Sequence, residues 1–114
     1  MPARTMIVFD IHARKNKTRD EKYFEIEMLD DETGEYVKTY TGDEYFNFDN
    51  WRPVIDAWEP NTLVAISGIF KFKRDAKSKE LTNIVNADSK PHILDTYNQS
   101  VRDQYLEVYA SKYL

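Results

Sequence analysis

Between Lys22 and Leu29 the chain alternates strictly, with Phe24, Ile26 and Met28 on one side and Tyr23, Glu25 and Glu27 on the other. Such a period of two marks a strand with one buried face, because successive side chains leave opposite sides of a pleated backbone. Asp30-Asp31-Glu32-Thr33-Gly34 interrupts the pattern and supplies a turn, with Gly34 able to take positive φ. Glu35 to Thr41 then returns, Val37 and Thr39 on one face, Tyr36, Lys38 and Tyr40 on the other. A hairpin follows. It constrains everything else, since a lone two-stranded ribbon needs further strands to bury its apolar side.

Those strands are available on both sides. Thr5 to Arg14 carries Ile7, Phe9 and Ile11 on one face and Asp10, His12 and Arg14 on the other. The three strands make an antiparallel meander. Asn50 to Trp58 reads as a short helix, with Asn50 or Asp49 as N-cap, Pro53 in the first turn and Pro60 just past the end. Trp51, Val54, Ile55 and Trp58 fall at helical spacing, so both tryptophans are expected in the core rather than on a binding surface. Leu63 to Lys73 is long for one strand, and Gly68 in its middle predicts a bulge or sharp bend. After a polar loop, Leu81 to Ala87 is the last expected strand. From about Asp95 the chain reads as helical, because Val101, Tyr105, Val108 and Tyr109 keep the i, i+4, i+7, i+8 spacing.

Composition excludes several classes. The 114 residues suit one domain, and 14% aromatic residues argue against disorder despite a charged fraction of 32%. Without cysteine there is no disulfide framework, no thiol nucleophile and no Cys-based zinc site. No apolar run approaches the roughly 20 residues that span a bilayer, and no signal-type segment stands at the start, so a soluble, cytoplasmic protein is expected. Neither G-x-S-x-G, Walker A, H-E-x-x-H nor G-x-G-x-x-G occurs, which predicts a non-enzymatic chain. Asp30-Asp31-Glu32 offers carboxylates but lacks the spacing of an EF-hand loop; no metal and no cofactor are expected. His12, on the outward face of the first strand, reads as a surface histidine more readily than as a ligand contact.

The order βββαββ, followed by a helical tail, resembles the OB-fold, a five-stranded Greek-key barrel with its helix between the third and fourth strands. Two segments carry the likeness. Tyr23-Phe24-Glu25-Ile26-Glu27-Met28-Leu29-Asp30-Asp31-Glu32-Thr33-Gly34 is similar to the hairpin of nucleic-acid-binding OB domains. Thr62-Leu63-Val64-Ala65-Ile66-Ser67-Gly68-Ile69-Phe70 is similar to their fourth strand, with Asn61 where glycine is commoner. The expected fold is thus all-β, an OB barrel over 1–90 and a C-terminal helical extension over 91–114.

The resemblance implies where a ligand lies: across the second and third strands, between the first-to-second and fourth-to-fifth strand loops. The net charge of -4 excludes a uniformly cationic nucleic-acid binder. Yet five bases (Arg14, Lys15, Lys17, Arg19, Lys22) against two acids fall in the first of those loops and its flanks. Five more (Lys71, Lys73, Arg74, Lys77, Lys79) against one acid fall in the second. Between them Tyr23, Tyr36 and Tyr40, with Lys38, form an aromatic face suited to stacking bases. Phe70 and Phe72 either extend that platform or belong to the core.

These residues point to sequence-tolerant single-stranded DNA binding, with RNA open within the class. By resemblance the activity serves replication or transfer of a phage or conjugative element. Glu25 and Glu27, on Tyr23's face, oppose phosphate. The contrasting reading is an OB protein-interaction module or subunit without nucleic-acid binding. The tail's tyrosine stripe (Tyr105, Tyr109, Tyr113) suits packing on the barrel or on another copy, so a homo-oligomer through the C-terminal helix belongs among the expected partners.

Overall fold

A computed structural model describes residues 3–18, 20–42, 48–74, 81–86, 90–97 and 102–107, with the backbone alone for Asn16, residues 72–74 and 81–86, and Tyr97. The elements are β1 (Arg4–Asn16), β2 (Glu21–Asp30), β3 (Tyr36–Gly42), α1 (Phe48–Ala57), β4 (Leu63–Gly68), β5 (Phe70–Arg74), β6 (Leu81–Asn86), β7 (His92–Tyr97) and a short helix α2 over 102–107. Five strands form an antiparallel sheet in the order β3-β2-β1-β4-β7, and β5 and β6 form a second ladder. The molecule is mostly β. None of its described helices is long and apolar enough to cross a membrane.

The β2–β3 hairpin forms in the register its alternation predicts, with Ile26 opposite Thr39 and Met28 opposite Val37. Its turn is built on Asp30, only 2% exposed. The Asp30 carboxylate accepts from the backbone N–H of Glu32 at 2.9 Å and of Thr33 at 3.2 Å, and binds Arg4 at 2.8 Å. Gly34 takes φ 71°, the left-handed conformation that costs a side-chain-free residue little. The acidic turn therefore has a structural occupation for its one buried carboxylate.

β1 departs from simple alternation. Its register against β2 shifts between Val8 and Asp10, a bulge in which Phe9 is the extra residue. One inserted residue reverses the facing of everything before it. Met6 and Val8, not Ile7 and Phe9, share the main core with Ile11. Ile7 and Phe9 turn instead to the opposite side, where they meet Leu29, Leu63 and Ala65. Asp10, His12 and Arg14 keep their expected outward orientation because they follow the bulge.

The main core joins those β1 residues to Ile26, Met28, Val37, Val64, Ile66 and Phe70, closed at one end by Trp51 and Val54 of α1. Trp51 is fully buried and stacks on Phe70 at 6.2 Å, so both are core side chains. Among the described residues the Trp51 and Trp58 indole N–H groups have no acceptor, which leaves ring area as their contribution. α1 starts at Phe48, earlier than the Asn50 or Asp49 cap predicts, and Pro53 consequently stands inside the helix. Phe48 explains the earlier start: its ring stacks on Phe24 at 6.3 Å and lies under the Arg52 guanidinium at 4.9 Å.

The long apolar run bends where glycine predicts. β4 ends at Gly68, β5 begins at Phe70, and a Cβ on Gly68 would stand 3.0 Å from the Phe70 ring. Asn61, at φ 68°, occupies a left-handed position before β4, which accounts for asparagine standing in for the commoner glycine.

The tail differs from its helical reading. Residues 92–97 are strand β7, paired with β4 from Ser67–His92 to Leu63–Tyr97. The helix begins only at 102. The helical spacing begins only at Val101, and the preceding segment pairs with β4 and packs Ile93 against the main core. β4 thus pairs with β7, and β5, just after it, pairs with β6, both antiparallel. β6 also approaches β3 within 8 Å between Cα atoms.

Asp30→Ala removes three charge-assisted hydrogen bonds from a buried turn. Urea unfolding should show a loss of about 3 kcal/mol, with Asp30→Asn retaining part of it.

Candidate nucleic-acid interface

The outward face of the first three strands is a small grid. Arg14 of β1 stands opposite Tyr23 of β2, which stands opposite Gly42 of β3. The next row is His12, Glu25 and Tyr40; the third is Asp10, Glu27 and Lys38. The last row is apolar: Ile7, Leu29 and Tyr36, with Phe9 beside them. α2 packs over that apolar end through Tyr105 and Leu106. Arg102 anchors it by donating from Nε to the Phe9 carbonyl at 3.4 Å. Among the described residues α2 thus covers the apolar half of the face and leaves the polar and aromatic half uncovered.

Tyr36 belongs to the wrong half for base stacking. Its ring packs on Phe9 at 6.0 Å and its hydroxyl donates to Glu27 Oε1 at 2.6 Å. Tyr23 and Tyr40 stay in the uncovered half, half-buried and edge-on at 6.1 Å. Gly42 brings β3 against β2 beside Tyr23; a Cβ there would lie 2.7 Å from the Lys22 carbonyl oxygen. Lys38 reaches over the Tyr40 ring, 5.9 Å from its centroid.

The carboxylates that seemed to oppose phosphate are engaged within the grid. Arg14 donates from Nε to Glu25 Oε2 at 2.9 Å, and Lys38 Nζ lies 3.9 Å from Glu25 Oε1. His12 Nε2 lies 2.9 Å from Glu27 Oε2, and Arg102 Nη2 lies 4.0 Å from Asp10 Oδ2. Each β1 base reaches the acid one row along on β2, the diagonal pairing a twisted antiparallel ribbon allows. The Arg14 guanidinium is held above its ordinary pKa, first by the hydrogen bond to Glu25 and then by its charge. At Lys38 desolvation is the largest influence and lowers the pKa, but hydrogen bonding to Tyr40 and the charges of Tyr40, Glu25 and Glu27 together outweigh it, for a net rise. Both side chains are cations throughout the neutral range.

The remaining expected residues scatter. Lys15 pairs with Asp20 at 2.7 Å, both side chains exposed, where such pairs are worth little. Lys17 is exposed in the β1–β2 turn, and Lys71 is exposed on β5. Lys73 and Arg74 lie on β5 by their backbone, while their side chains, with Arg19, Lys77 and Lys79, fall outside the described residues. Tyr109 and Tyr113 do so as well. Of the thirteen expected residues, Arg14, Tyr23, Lys38 and Tyr40 are brought together. Asp10, Glu25, Glu27 and Arg102 complete their surroundings, and the first three were legible as opposite charges on facing positions of neighbouring strands.

Asp10, His12 and Glu27 place three donor atoms within 4.8 Å of one another. The hydrogen bond between His12 and Glu27 accounts for their convergence without an ion.

No family model matches the chain, and neither a curated protein nor a solved structure is similar to it at a significant level.

Tyr36→Phe keeps the ring on Phe9 and removes the bond to Glu27. Urea unfolding should register a loss of about 1.5 kcal/mol, the lower end for a hydrogen bond to a charged group.

Proposed function

We propose that this chain is a non-enzymatic, sequence-tolerant single-stranded nucleic-acid-binding protein built on an OB-type barrel. The observation that carries the reading is the uncovered Tyr23–Tyr40 pair, flanked by Arg14 and Lys38 and adjoining the basic β1–β2 turn. Bases of any identity present a π-face, so half-buried rings at a sheet surface bind without reading sequence. Barrel closure is supported by the approach of β6 to β3 and by the bent β4–β5 run pairing with β6 and β7. In that arrangement the tyrosine face is the surface on which OB domains hold oligonucleotides. DNA is the favoured ligand through the resemblance of the hairpin and fourth strand, which also places the activity in replication or transfer of a phage or conjugative element.

The electrical balance of the same face favours a second reading, a protein-interaction module, because paired charges suit a desolvated protein contact. The two separate cleanly. Fluorescence anisotropy with labelled oligo(dT) should show binding at low salt and much weaker binding to matched duplex. Tyr23→Ala with Tyr40→Ala should then weaken binding by about 1–3 kcal/mol for each base that loses its ring. Equal affinity for duplex, or no binding in low salt, overturns the nucleic-acid reading and leaves the protein partner to be sought by pull-down.

A further inference from the structure

Glu25 is out of place on a surface that binds nucleic acid. Its residue is 9% exposed, the least exposed of the charged side chains on the outward grid, and it stands two residues from Tyr23 on β2 and directly opposite Tyr40 on β3. Burial fixes it there. Both oxygens face cations: Oε2 accepts from Arg14 at 2.9 Å, and Oε1 lies 3.9 Å from Lys38. These are the cations of β1 and β3 that flank the Tyr23–Tyr40 pair. A carboxylate in that position occupies the place a phosphate oxygen would take.

The other described cation at this face is committed too. Arg102 lies 4.0 Å from Asp10 and holds the Phe9 carbonyl. Among the described residues three cations, Arg14, Lys38 and Arg102, thus face three carboxylates, Glu25, Glu27 and Asp10. A phosphate brought to Arg14 meets a charge already balanced at 2.9 Å by a buried anion.

Resting on the single-stranded nucleic-acid reading above, we propose that Glu25 is an internal counter-anion that keeps Arg14 and Lys38 from phosphate. Oligonucleotide is then held on the sheet by base stacking, and phosphate contacts come from exposed turn cations such as Lys17. Ligand exchange is eased by this arrangement, since the sheet adds stacking without adding a tight backbone clamp. The Glu25 carboxylate sets how strongly binding depends on salt.

The slope of log K against log[salt] reads the number of phosphates neutralised, about 0.7 per contact on a single strand. Anisotropy with oligo(dT) should give Glu25→Gln tighter binding at low salt and a slope steeper by about 0.7 for each cation released, up to about 1.4. Adding Arg14→Gln to Glu25→Gln should remove about half of that gain. In the native chain Lys17→Gln should flatten the slope by about 0.7, and Arg14→Gln by clearly less. A native slope in Glu25→Gln whose unfolding curve shows it folded overturns the proposal. So does an Arg14→Gln effect as large as that of Lys17→Gln, an arm that stands even if Glu25→Gln does not fold. Absence of binding by every version overturns the nucleic-acid reading itself, a result distinct from both.

Discussion

The fold depends on how β1 divides its apolar residues. β1 lies in the middle of the sheet, between β2 and β4, and both of its faces are covered over its first half. A strand of strict alternation would send Ile7, Phe9 and Ile11 together to one side. The bulge at Phe9 splits them, so Met6, Val8 and Ile11 build the main core while Ile7 and Phe9 build a second apolar patch outside it. That patch needs a cover. α2 provides it, and its Arg102 uses the Phe9 carbonyl as an anchor. The distribution of functional surface follows from this one irregularity.

Beyond the bulge the same strand presents Asp10, His12 and Arg14 outward, and β2 answers with Glu25 and Glu27. Diagonal pairing lets each base reach an acid, so the face is closely knit without being charged. Tyr36 is drawn to the apolar side by Phe9, whereas Tyr23 and Tyr40 remain beside Arg14 and Lys38. Where the aromatic stripe is divided is thus set by the reach of α2.

Local patterns made much of this legible. The β2–β3 hairpin, the bend at Gly68, Trp51 in the core with Trp58 packed partly buried against it, and the outward Tyr23, Lys38 and Tyr40 all follow from alternation, turn chemistry or helical spacing. Such signals act over a few residues and survive most tertiary contexts. Three features did not. The bulge leaves no mark in composition, because Phe9 is as apolar as its neighbours. β7 carries a strand only because β4 offers an edge and Ile93 a place in the core. α1 starts at Phe48 because Phe24, distant in sequence, supplies a ring to stack on.

From the order of residues alone came the antiparallel β-rich character, the hairpin that fixes which faces point outward, and the coincidence of tyrosines and bases on one of them. Those properties depend on side-chain period and turn conformation, which neighbouring residues dictate. Only the tertiary structure decided which tyrosines stay uncovered, that Asp30 anchors a turn, and that Glu25 balances Arg14 and Lys38. Each of those involves a contact between distant parts of the chain: α2 on the sheet, Arg4 on Asp30, and Arg14 and Lys38 on Glu25. Its existence depends on register and burial, and one inserted residue in β1 is enough to change both.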